Sequence, residues 1–75
     1  LQTKLSEIKA GATCIIQSFT DEEIKLKLME MGCIPGESIM VERTAPLGDP
    51  MAITVSGYLL SIRKDEASTV IVSTI

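Results

Sequence analysis

The 75-residue sequence contains no histidine and only two cysteines. Without imidazole it lacks the side chain most used for proton transfer near neutral pH, and a preferred ligand of borderline transition metals. Cys14 and Cys33 belong to no C-x-x-C or Cys/His grouping, so they read as two separate buried thiols in a reducing compartment rather than a disulfide or a zinc site. Basic residues are few and dispersed: seven Lys and Arg against ten Asp and Glu give a net charge of −3. That leaves no electrostatic footprint for a phosphate backbone, which disfavours nucleic acid as a partner. No apolar run exceeds three residues, far below the roughly 20 needed to cross a bilayer, and no charged-then-apolar segment opens the chain. The expectation is a cytoplasmic protein.

What is present is a folding composition, 45% hydrophobic and 23% charged. A chain this short buries a modest fraction of its surface, which points to a single domain over 1–75 and against a large active-site cleft.

Leu1, Leu5 and Ile8 have helix-like spacing, but Lys9-Ala10-Gly11 stops them within about two turns, giving a short lead-in that caps one end of the core. "ATCIIQSF" (12–19) reads as a strand with Cys14 and Ile16 on one face. Thr20 with Glu23 three residues later forms a capping-box pattern, and Gly32 followed by Pro35 ends the helix that starts there. On that helix Ile24, Leu28 and Met31 fill one side, Leu26 points nearly opposite, and Met29 lies between them. Leu26 and Met29 therefore make an apolar spot that folding alone does not require.

"SIMVERT" (38–44) is a second strand with Ile39, Val41 and Arg43 on one face. Two short alternating runs, 52–56 and 58–63, are divided by Gly57 as in a tight hairpin, placing Ile53, Val55, Leu60 and Ile62 in the core. "KDEAS" is one helical turn, and "TVIVS" (69–73) a last strand. Five short strands and one helix predict a mainly β fold, a small and partly open barrel of either SH3-like or OB type.

Between the second and third strands, Pro46 and Pro50 must break the ladder and Gly48 supplies the freedom to turn, so "TAPLGDP" is a wide hairpin loop. Leu47 either folds back on the barrel or faces a partner. Asp49 bonds its own turn backbone or contacts that partner. Arg43 and Arg63 flank the region and have Glu42, Asp65, Glu66 or a partner's acids as candidate counter-ions.

Met31-Gly32-Cys33-Ile34-Pro35-Gly36, Ala45-Pro46-Leu47-Gly48-Asp49-Pro50, Leu60-Ser61-Ile62-Arg63 and Glu66-Ala67, in that order and spacing, resemble the ferrous iron transport protein A (FeoA) family from Leu5 onward. Cys33, where the family more often has an aliphatic residue, and Ser61, where it often has alanine, are mild departures. The resemblance implies an SH3-like β-barrel and an accessory role rather than an enzyme. It also implies a partner: the cytosolic face of a ferrous iron permease with a GTP-binding domain. SH3-like barrels present loops and shallow grooves to peptides, which fits that use.

The chain offers no nucleophile paired with a base, so catalysis is disfavoured. Glu22, Glu23 and Glu30 read as a solvated helix face rather than an iron site, and no cofactor is assigned beyond weak transition-metal binding. The partner-binding candidates are Leu26, Met29, Pro46, Leu47 and Asp49. A different class is also open: the carboxy-terminal SH3-like domain of a metal-dependent transcriptional repressor, which would carry a helix-turn-helix upstream. A free-standing iron chaperone would need a ligand cluster that the sequence does not offer. An edge strand together with Leu26 also permits self-association.

Overall fold

The computed structural model describes residues 2–74. Its order is β1 (Gln2–Lys4), a 3₁₀ turn (Leu5–Glu7), β2 (Thr13–Phe19), α1 (Glu22–Glu30), β3 (Ser38–Thr44), β4 (Met51–Val55), β5 (Tyr58–Ile62), α2 (Lys64–Ala67) and β6 (Val70–Thr74). All six strands form one antiparallel sheet in the order β1-β6-β2-β3-β4-β5. The sheet is barrel-like but not closed, with β1 and β5 as its two edges. The mainly β architecture is therefore as expected, with six strands instead of five.

The additional strand is β1, which pairs Gln2, Thr3 and Lys4 with Ser73, Val72 and Ile71. The expected helical lead-in is a strand followed by a single 3₁₀ turn; Leu1 lies outside the described residues. Leu5 and Ile8 still bury as anticipated, because a bend in the chain brings both inward whatever its secondary structure.

Strand alternation sets the core. Cys14 and Ile16 of β2, Ile39 and Val41 of β3, Met51, Ile53 and Val55 of β4, and Val70 and Val72 of β6 are all buried. Leu60 packs against this cluster while remaining half-exposed. Among the described residues no polar or charged side chain is buried, so the chemistry of this protein lies on its surface.

Arg43 does not share the face of Ile39 and Val41. A bulge at Glu42 shifts the register from Val41↔Ile53 to Arg43↔Ala52, and one extra residue turns every later side chain to the other face. Arg43 is consequently exposed.

Helix α1 begins one residue later than its capping-box pattern suggests. Asp21, not Thr20, is the cap: its Oδ1 accepts from the Ile24 amide at 3.0 Å. The Thr20 hydroxyl instead donates to the Thr69 carbonyl at 3.4 Å. At the other end the Gly32 amide donates to Met29 O (3.1 Å) and the Cys33 amide to Leu28 O (2.9 Å), the paired bonds of a Schellman motif. This requires a left-handed residue, and Gly32 has φ +98°. Leu28 and Cys33, bonded across the motif, are both buried, which anchors the helix and aims the chain into β3.

Candidate docking site

The β3–β4 loop closes through two backbone bonds, Gly48 N–H to Ala45 O at 2.7 Å and Ala45 N–H to Pro50 O at 3.0 Å. Pro46 and Pro50 add no donors, and Gly48 takes φ +83°. Closed by these two bonds, the loop projects Leu47, which is 91% exposed. Of the two fates open to Leu47, folding back on the barrel is ruled out.

Among the described residues the Asp49 side chain makes no bond to its own turn. Its Oδ1 accepts from the Lys64 amide at 3.1 Å, supplying a partner to the first turn of α2, whose amides have none within the helix. The loop is thereby tied to α2, fifteen residues later in the chain.

Helix α1 brings a second part of the site. Leu26 is 62% exposed, as its position on the helical wheel predicted, and Met29 is half-buried beside it. One residue along, Lys27 Nζ forms an ion pair with Glu66 of α2. Glu66 also accepts from the Arg63 amide at 3.2 Å. The Lys27 hydrogen bond is the main reason the Glu66 carboxyl is held below its ordinary pKa, against the opposing effect of burial. Arg43 and Arg63 make no ion pair among the described residues.

Two hollows join these parts. One of about 480 Å³ is lined by Arg43, Pro46, Pro50, Ala52, Leu59 and Ser61, among others. The next, about 560 Å³, runs between Lys27, Asp49, Pro50, Ser61, Arg63 and Glu66. Pro50 and Ser61 belong to both, so the loop, β5 and the α1–α2 corner border one continuous surface. Pro46 and Asp49 share it, with Lys27 from α1, whereas Leu26, Met29 and Leu47 line neither hollow.

Sequence reasoning missed the β5 contribution. Tyr58 and Leu59 are 65% and 58% exposed. The available signal was Leu59 itself: between Tyr58 and Leu60 it occupies the outward position of an alternating strand, where a polar residue is the norm. The Lys27–Glu66 link spans 39 residues and has no local signature.

Both thiols are buried and free, and burial pushes their pKa values up. Among the described residues no group of three or more His, Cys, Asp or Glu is placed to hold a metal ion.

The FeoA domain model matches residues 3–74. A curated relative from Porphyromonas gingivalis, an Fe(2+) transport protein A/Fe(2+) transporter FeoB fusion protein, is 30% identical over 68 residues, covering 89% of this chain but 8% of that protein. The chain thus spans under a tenth of the relative's length. A FeoA-like protein from Clostridium acetobutylicum has a similar structure, with TM-score 0.92 and 33% identity over 99% of this chain and 87% of that one. The zinc-complexed FeoA of Stenotrophomonas maltophilia, described as a prokaryotic SH3 domain protein, superposes with TM-score 0.84 at 26% identity, covering 95% and 89% of the two chains. A manganese-dependent transcriptional repressor shares the fold over 99% of this chain and 42% of its own, with TM-score 0.87 and 10% identity; at that identity the likeness is one of fold alone. With a family model over nearly every residue, and a fold matching solved FeoA proteins, this chain belongs to the FeoA domain family.

Proposed function

We propose that this protein is a non-catalytic accessory module of bacterial ferrous iron uptake. It works in the cytoplasm, docking on the cytosolic side of a ferrous iron permease that carries a GTP-binding domain. Leu26 and Met29 on α1 and Pro46, Leu47 and Asp49 in the β3–β4 loop form the contact region, with Asp49 acting by fixing the loop on α2.

The observation that carries this reading is the almost complete exposure of Leu47 on a loop closed by two backbone hydrogen bonds of its own. A leucine held out in water by this loop costs hydrophobic free energy that a partner recovers on binding. The relative that joins an Fe(2+) transport protein A to the Fe(2+) transporter FeoB in one chain supports a permease of that kind as the partner. A non-catalytic role is supported by the missing imidazole and by thiols whose raised pKa values keep them protonated, since the thiolate is the nucleophilic form.

The test is a binding titration of this chain against the purified full-length permease, with and without guanine nucleotide. Saturable binding that weakens in Leu47→Ser and in Leu26→Glu is the expected result. Absence of binding in every nucleotide state refutes the reading and returns weight to the repressor-domain alternative.

A further inference from the structure

We infer that the free edge of β5 is a docking strand, taking an extended segment of a partner that carries apolar side chains and at least one carboxylate. This rests on the docking reading above and deepens it, naming the backbone that pairs and the chemistry it selects.

The hairpin fixes which backbone groups are free. Ser56 and Gly57 both have positive φ, +50° and +82°, the signature of a two-residue type I′ turn closed by a hydrogen-bonded pair. That pair is Val55↔Tyr58, and Ile53↔Leu60 and Met51↔Ile62 follow at alternate positions. In an antiparallel ladder the residues between such pairs point their N–H and C=O groups the other way. Leu59 and Ser61 therefore direct theirs away from β4, and among the described residues β5 has no second neighbour in the sheet.

Exposed edges are normally blunted by brevity, charge, proline or a bulge. The opposite edge, β1, is three residues long and ends in Lys4. Strand β5, "YLLSI", has five residues, none charged and none proline, and pairs with β4 without a register shift. An apolar edge left open in this way is a template for strand addition.

The surroundings say what kind of strand. Besides the two hollows already described, a third of about 400 Å³ is lined by Met31, Gly32, Tyr58 and Leu60 with Glu30. All three have β5 residues in their walls, so side chains from both faces of an added strand find space. Apolar area from Leu59, Pro46, Pro50 and Tyr58 favours aliphatic or aromatic occupants. The first two hollows contain Arg43, Lys27 and Arg63 against Asp49 and Glu66. Both carboxylates are already hydrogen-bonded, Asp49 to the Lys64 amide and Glu66 to Lys27 and the Arg63 amide. Glu42, on the bulged strand β3, accepts from the Thr54 hydroxyl at 2.6 Å. Among the described residues Arg43 and Arg63 make no direct ion pair, although Arg63 lies close enough to Glu66 to help hold its carboxyl charged, so Arg43 is the less compensated of the two in a chain whose net charge is −3. A second copy paired through β5 brings the same guanidinium groups, which make no direct ion pair, whereas a carboxylate-bearing strand pairs with them; charge complementarity selects the latter.

The probe is a synthetic peptide, Glu-Val-Thr-Val-Thr-Val-Glu with blocked ends, titrated into the intact chain while its amides are followed by NMR. Slowed hydrogen exchange at Leu59 and Ser61 is expected. Two versions N-methylated on alternate residues block one or the other peptide edge. At least one should bind roughly thirtyfold more weakly, the loss of two or so backbone hydrogen bonds. Replacing both peptide glutamates by lysine should weaken binding as well. No protection of Leu59 and Ser61, binding of both N-methylated versions as tight as that of the unmodified peptide, or equal binding of the lysine peptide overturns the inference. Protection that rises with chain concentration in the absence of peptide identifies a second copy as the occupant and overturns it too.

Ser61→Pro removes an outward amide, a substitution that edge strands tolerate, and Ser61→Ala is its control. Binding of the full-length permease to wild type and Ser61→Ala but not to Ser61→Pro supports the edge. Equal binding of all three leaves permease docking standing and sinks the edge. Protection by the peptide with no permease binding does the reverse.

Discussion

Replacing Leu26 by glutamate separates a folding role from a docking role, and the structure sets the size of each. Leu26 has little over a third of its surface covered, so losing its packing costs under about 1 kcal/mol, part of which the glutamate stem retains. The new carboxylate falls four residues after Glu22 and four before Glu30, and each like-charged pair at that spacing costs about 0.2–0.5 kcal/mol. The sum is about 1–1.5 kcal/mol, a drop in melting temperature of several degrees for a domain this size, with roughly 4–8 °C per kcal/mol. Leu26→Lys is the matched control. It faces the same two glutamates with opposite charge, so its stability should lie within about 0.5 kcal/mol of wild type. Both variants remove the leucine from the surface, and losing its exposed share from an interface should weaken permease binding about 5- to 30-fold. Urea denaturation gives the first quantity and the permease titration the second. A loss above about 3 kcal/mol in Leu26→Lys would show that Leu26 belongs to the core. Two folded variants that bind like wild type would remove Leu26 from the docking surface.

Asp21→Ala should cost about 0.5–2 kcal/mol by leaving the Ile24 amide without its cap, and Thr20→Ala distinctly less, reversing the order the capping-box pattern implies; urea midpoints of the two variants decide it. Leu28→Ala, at the centre of the Schellman contact and 1% exposed, should cost about 2–5 kcal/mol, read from the same titration. Glu66 has a lower pKa folded than unfolded, so its contribution is present above the unfolded value, 4.5, and is lost as pH falls through the folded one. Wild type should therefore be more stable than Glu66→Gln at neutral pH, with the gap narrowing as pH falls below 4.5; a gap that widens on acidification would contradict the assignment.

The local elements were legible because their signals are local. Alternation in "TCIIQSF" and "VIV" exposes strands, Gly32 followed by Pro35 marks the end of α1, and Gly57 between two alternating runs is a hairpin. Strand β1 was not, since "QTK" has no apolar alternation and is a strand only because β6 is there to pair with it. The bulge at Glu42 was equally hidden. Arg43 continues the period-two pattern on paper, and only the pairing with β4 inserts the unpaired residue.

For the site the division is similar. The sequence alone determined that Leu26 lies opposite the buried stripe, and that Leu47 sits between two prolines that forbid a ladder, either folded back on the barrel or facing outward. Both follow from backbone periodicity and missing donors, properties that need no tertiary partner. Tertiary structure decided what surrounds them. Asp49 reaches the α2 amide rather than its own turn, Lys27 meets Glu66, and β5 ends the sheet with Leu59 and Ser61 unpaired. These depend on which segments lie side by side after the chain has curled into one open sheet, and contacts between residues far apart in sequence leave no periodic trace along it.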